Sequence, residues 1–311
     1  MTPHRTAKAY KSYVEQIDLL AARGMIVHDR EWAVDRLSKI NYYRLSGYWY
    51  PFRMLRGDGC GRTDRFFDGS DLRDVVALHD FDARLRAATF TALSHIELTV
   101  RARLGHELGR VDPLVHLRPE LLGPPAHQAR GTSPSQKYIH WRQQYDSALA
   151  RSREDFVEHH RREYSGTLPV WAAVEVLDWG RLTHLFGMSP LAARDSVAHD
   201  MRLSAPQLES WMKSLNILRN YSAHHGRVFN RVFALTPKLP KGDDHPELSD
   251  IAPSMNRAFG QLSIVQYLLK TLRAGNPQVL PAVLRSFPDV EIVPISHTGA
   301  PSRWALSPLW S

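Results

Sequence analysis

Cysteine is nearly missing: Cys60 is the single one in 311 residues. A lone thiol cannot close an intramolecular disulfide or complete a cysteine zinc site, which excludes a disulfide scaffold and a zinc finger. Glycine (18) and proline (20) are too few for a collagenous or linker-dominated chain. No apolar run approaches 18 residues, so the sequence predicts no membrane span. The opening MTPHRTAKAYKSYVEQIDLL has neither the apolar core nor the small-residue cleavage site of a secretory signal, and the chain reads as cytoplasmic. A charged tail is absent too. The 40 basic and 32 acidic residues give +8, spread evenly along the chain.

What is present is a globular composition, 43% hydrophobic and 23% charged, in a chain long enough for a substantial core. Of the basic residues 32 are arginine, whose planar fork suits phosphate. Genome base composition also enriches arginine, so composition by itself is a weak argument for a polyanion partner.

Helical periodicity dominates. Tyr10, Val14, Ile17 and Ala21 fall on one face, and Gly24 follows as a stop. A short amphipathic stretch from about 29 to 39 leads into INYYRLSGYWYPFR (40–53), dense in aromatics, and GDGCG (57–61) is a turn cluster. The longest pattern runs from about 71 to 108, with Phe81, Leu85, Ala88, Ala92, Ile96, Val100 and Leu104 on one stripe. Its length exceeds that of an ordinary helix and predicts a break near His79–Asp80. Residues 111–137, with five prolines, read as a linker or insertion. Helices are expected at about 138–164, at 169–186 with a bend at Gly180, from Ser204, where Ser204 and Gln207 have capping-box spacing, and at 254–274. No strand-type alternation persists and no repeat is evident. The expected fold is all-α, divided into an N-terminal helical, aromatic-rich segment (1–70), a helical domain (71–275) and a C-terminal tail (276–311).

The candidate for chemistry is RNYSAHHGRVFNR, residues 219–231, which places Arg219, Asn220, His224, His225, Arg227, Asn230 and Arg231 directly after an apolar stripe of Leu208, Trp211, Leu215 and Leu218. Histidine exchanges protons near neutral pH and arginine neutralises charge developing on a phosphate, so together they can cleave RNA without a metal. The spacing alone decides nothing. Arg-x4-His occurs also at Arg23/His28, Arg101/His106 and Arg194/His199, against roughly 1.6 occurrences by chance.

Order along the chain adds weight. INYYRLSGYWYPFR, then HDFDARLRAATFTALSHIELTVRARL (79–104), PVWAAVEVLDWGRLTHLF (169–186) and LRNYSAHHGRVFNR (218–231) resemble the Abi-like, AbiD/AbiF-type abortive-infection proteins of the HEPN superfamily. The resemblance covers roughly residues 5–275. Ser222, where many relatives have cysteine, is a departure that concerns packing. The resemblance implies a HEPN-type helical bundle with additional N-terminal helices and a long inserted loop. It also implies a metal-independent endoribonuclease of phage defence, or a growth-arresting toxin. Arg219 and His224 match the superfamily pair and Asn220 the polar residue beside it; His225 and Glu97 are supporting candidates. Arg227, Asn230 and Arg231 are candidate RNA contacts. No metal and no cofactor is implied. An antitoxin or regulatory RNA is an expected partner, alongside the RNA substrate.

On a regular helix Arg219 and His224 lie about 140° apart, so one copy of the motif makes no compact pair. Two copies meeting across a two-fold axis would, which predicts a homodimer with a composite site. The competing readings are a non-catalytic RNA- or protein-binding module and, more weakly, a helical DNA-binding regulator, for which no recognition helix is visible. Residue by residue, Glu97 also reads as an i,i+4 partner of Arg101. His159–His160 reads as a solvated face. The aromatic block reads as core, with base stacking on Tyr48 or Trp49 as the alternative.

Overall fold

The structure, a computed structural model, describes residues 8–128, 133–240, 245–249 and 251–311. It is all-α apart from one hairpin. The helices are α1 (Tyr13–Ala22), α2 (Arg30–Lys39), α3 (Tyr42–Trp49), α4 (Leu72–Gly109), α5 (Gln136–Arg151), α6 (Asp155–Glu163), α7 (Val170–Ala173), α8 (Trp179–Met188), α9 (Leu191–His199), α10 (Ala205–Ala223), α11 (Pro246–Ser249), α12 (Ala258–Leu272) and α13 (Val279–Arg285). The hairpin pairs β1 (Arg53–Leu55) with β2 (Arg62–Phe66) around the GDGCG turn, a strand pair too short for alternation to reveal. Among the described residues no helix is long and apolar enough to cross a membrane.

The chain forms two compact units. The first comprises residues 1–85 and 283–297, the second 86–282 and 298–311.

In the first unit α1 starts at a capping box, with the Ser12 N–H donating to Glu15 at 2.7 Å and the Glu15 N–H to Ser12 at 3.3 Å. Its buried residues are Ile17 and Leu20, while Tyr10 and Val14 are exposed, so the predicted stripe is rotated. The aromatic segment divides. Tyr48, Trp49 and Phe52 are buried, which removes base stacking on Tyr48 or Trp49, whereas Tyr43 and Tyr50 are exposed. The Tyr48 hydroxyl donates to the buried Asp82 carboxylate at 2.5 Å, and Phe81 packs edge-on against Phe287.

The break expected near His79–Asp80 is not there; α4 is continuous over 38 residues. No proline interrupts it, and both polar residues find partners: the His79 ring packs on Tyr48 and its Nδ1 lies 3.0 Å from Asp80. All seven stripe residues from Phe81 to Leu104 are buried.

In the second unit α10 packs against α8, α9 and α12, and α5 packs against α8. Two of the buried tryptophans satisfy their N–H groups on backbone carbonyls: Trp179 on Met212 at 2.7 Å and Trp211 on Lys238 at 2.8 Å. The proline-bearing stretch after α4 is packed rather than loose where it is described. Val115, His116, Leu122 and Ala126 are buried, and the Gly123 N–H donates to Met188 at 2.7 Å. The helical pattern expected over 169–186 breaks at Leu177–Asp178, where Asp178 caps α8, and Gly180 lies in the first turn of that helix rather than at a bend. The stretch expected as one helix over 138–164 is two, α5 and α6.

Candidate functional site

The site is built on the end of α10. This helix opens where the Ser204 N–H donates to Gln207 at 2.8 Å, with a proline in its first turn. Leu208, Trp211, Met212, Leu215 and Leu218 hold it against the core. Ser222 is buried and its hydroxyl donates back to the Leu218 carbonyl at 2.9 Å, so this position serves packing.

Arg219 lies in the last turns of α10. Its guanidinium carbon sits 5.5 Å from the ring centroid of Phe90 on α4, a cation–π contact that fixes the side chain. Its Nε is buried with no hydrogen-bond acceptor, and among the described residues no carboxylate lies within 4.0 Å of the group. Asn220, the next residue, is exposed.

The regular helix stops one residue before His224, which forms the cap with φ −101° and ψ 25°, its N–H donating to the Asn220 carbonyl at 3.0 Å. His225 follows in the left-handed region at φ +56°, and the Gly226 N–H closes the turn on the Tyr221 carbonyl at 2.8 Å. This is a Schellman closure with histidine at the position where glycine is usual. Both histidines are exposed. Gly226 has its own reason: a Cβ there would stand 2.6 Å from Tyr221 Cδ1. Arg219, Asn220, His224 and His225 thus share one helix end.

The neighbouring loop is held by its own contacts. Arg231 stacks on Tyr221 at 3.9 Å, and its Nε donates to the Arg227 carbonyl at 2.5 Å. Asn230, at φ +50°, accepts from Arg257 at 3.1 Å. Val228 and Phe229 are fully buried and anchor the segment. Glu97 sits elsewhere on α4, where its carboxylate accepts from Arg101 at 2.7 Å. Arg101 is itself buried and donates to the carbonyls of Val174 and Leu177. That is the i,i+4 reading of Glu97. Phe90, which supports Arg219, is the residue that sequence reasoning missed; its signal is an aromatic lying off the apolar stripe.

The other three Arg-x4-His arginines differ from Arg219. Arg23 pairs with Asp64 at 3.1 Å, Arg101 with Glu97 at 2.7 Å and Arg194 with Glu209 at 2.6 Å. Each already has a carboxylate partner.

The fold and the site together define an all-α chain with an arginine that no carboxylate matches among the described residues, an amide and two histidines at one helix end. Residues 35–230 match the model of the Abi-like protein family, well over half of the chain. The chain belongs to that family, which points to abortive infection, a form of phage defence. No curated protein and no solved structure gives a match.

Proposed function

We propose that the chain is a metal-independent endoribonuclease of the HEPN type that acts in abortive infection or as a toxin. The observation that carries the reading is the Arg219 guanidinium, held on Phe90 and, among the described residues, free of any carboxylate, on the same helix end as His224. A cation fixed but not neutralised is what a phosphodiester requires, because nothing must be displaced before it binds.

In this reading the 2′-oxygen of the RNA attacks the adjacent phosphorus and the bond from phosphorus to the 5′-oxygen breaks. The 2′-OH proton leaves to a base, and a proton is delivered to the departing 5′-oxygen. The products are a 2′,3′-cyclic phosphate, or the 3′-phosphate from its hydrolysis, and a 5′-OH. His224 is the acid/base or orienting group, Arg219 neutralises charge on the pentavalent phosphorus, and Asn220 positions the phosphate. His225 supports them. A second copy of the chain completes a composite site across a two-fold axis. Arg227 offers a further contact to the RNA backbone.

The test is cleavage of labelled single-stranded and structured RNA by the wild type and by His224→Ala in excess EDTA, with end-group analysis. Cyclic-phosphate ends from the wild type alone are the expected result. RNA bound but left intact by a folded wild-type protein would refute the nuclease and make the chain a binding module.

A further inference from the structure

The first unit holds a groove that the proposed chemistry does not use. Its volume is about 1070 Å³. Small-molecule pockets span roughly 300–1,000 Å³ and enclose their ligand, so this size suits a polymer lying across the groove. Tyr13, Tyr43 and Tyr50 line it, and these residues are 45%, 63% and 48% exposed. Tyr43 is supported from behind, and Tyr50 carries the Arg62 guanidinium 5.8 Å from its ring centroid. Tyr42 packs edge-on against Tyr43 at 5.8 Å and against the buried Trp49 at 4.8 Å, so the Tyr43 face is held by a ring anchored in the core. The Asn41 side chain caps α3 by accepting from the Tyr43 N–H at 2.8 Å, which fixes the backbone beneath it.

The charge on the lining is one-sided. Lys8, Lys11, Arg23, Lys39 and Arg53 face a single carboxylate, Asp64. Arg23 and Arg53 share that carboxylate, at 3.1 and 3.2 Å. Lys39 holds Asp35 at 2.6 Å. Among the described residues Lys8 and Lys11 have no carboxylate within 4.0 Å, and Lys8 Nζ stands 5.5 Å from the Tyr43 centroid. Exposed rings interleaved with cations are the surface that single-stranded nucleic acid selects, since every base has a face to stack and every nucleotide a phosphate to neutralise.

We propose that this groove binds single-stranded RNA, stacking bases on Tyr43 and Tyr50 and drawing phosphates to Lys8 and Lys11. The choice of RNA as the polymer rests on the ribonuclease reading; the stacking and charge do not.

Binding is measured by fluorescence anisotropy of a labelled 12-nucleotide oligouridylate on the full chain in EDTA. His224→Ala is the parent, so that the probe survives. Tyr43→Ala and Tyr50→Ala should each weaken binding about 5- to 150-fold, the range of one lost base stack. Tyr43→Phe should retain it. Lys8→Gln with Lys11→Gln should flatten the salt dependence by about 1.4 log units per log unit of salt. Both tyrosines are exposed, so circular dichroism and the melting temperature should not move. Affinity within twofold of the parent for both alanine variants would overturn the proposal. So would equal affinity for duplex DNA, or competition by uridine monophosphate at the oligomer's own concentration. Cleavage by the wild type is scored separately. A groove that binds RNA in a protein that never cuts it would sink the nuclease and leave the groove standing; cutting with no tyrosine effect would do the reverse.

Discussion

Replacing His225 with glycine should stabilise the second unit. A non-glycine residue in the left-handed region costs roughly 1–2 kcal/mol, and His225 occupies it at φ +56° at the end of α10. Glycine removes that strain but gives the unfolded chain more freedom, which returns a few tenths, so the net gain should be about 1 kcal/mol. For a unit of about 200 residues that amounts to a rise of roughly 2–4 °C in melting temperature. Six of the eight tryptophans lie in this unit, so urea or thermal unfolding followed by tryptophan fluorescence reports on it directly. Two controls isolate the cause. His224→Gly, at φ −101°, has no such strain to relieve and should not stabilise. Gly226→Ala should cost about 1–3 kcal/mol, because its methyl would stand 2.6 Å from Tyr221 Cδ1. If histidine is kept at this position for its imidazole, the stabilised His225→Gly protein should also cleave RNA more slowly. A His225→Gly protein that melts at or below the wild-type temperature would refute the strain argument.

Arg101→Met should be severely destabilising, by about 3–5 kcal/mol, since it strands a half-buried Glu97 and two buried carbonyls; a shift of the urea midpoint checks this. His116 is 1% exposed with both ring nitrogens unsatisfied among the described residues, and burial pushes its pKa down to about 4. Because the unfolded histidine binds its proton near pH 6.5 and the folded one does not, stability present above pH 6.5 is lost as the pH falls to 4, to the extent of about 3 kcal/mol. His116→Phe should remove that part of the acid sensitivity, as unfolding profiles at pH 7 and pH 5 would record. Gly260 lies in the first turn of α12, where a Cβ would stand 2.6 Å from the Met255 Cα. Gly260→Ala should cost about 1–3 kcal/mol of overpacking, read as a lower melting temperature.

Local patterns in the fold were readable. The α4 stripe, the α10 start at Ser204 and the stop at Gly24 all rest on contacts within a few residues, and such contacts are written into spacing. Features that depend on distant partners were not readable. Whether His79 and Asp80 interrupt α4 depends on Tyr48, some thirty residues away, whose ring receives His79. The rotation of α1 that exposes Tyr10 and Val14 is decided by which face its neighbours cover, and a ten-residue helix with few apolar positions leaves two faces nearly equal in the sequence. Helix α9 was missed because LAARDSVAH is short and weakly amphipathic; its burial of Ala193, Val197 and Ala198 comes from packing against α10.

The same distinction explains the candidate site. Four copies of Arg-x4-His are indistinguishable by spacing, and only the ion pair of Arg101 with Glu97, four residues apart, is visible in sequence. The pair Arg194–Glu209 spans fifteen residues and Arg23–Asp64 forty-one, across turns that no local pattern specifies. What separates Arg219 from the rest is therefore a tertiary property: an aromatic ring beneath it and, among the described residues, no carboxylate beside it. An added carboxylate turns that contrast into a test. Asn216→Glu, one turn before Asn220 on α10, should offer Arg219 the kind of partner its three counterparts already have. If an uncompensated guanidinium is what receives the phosphate, cleavage should fall at least tenfold with folding unchanged, and raising the salt should not restore it. Undiminished cleavage in a folded Asn216→Glu protein would mean that the charge on Arg219 is not what the site uses.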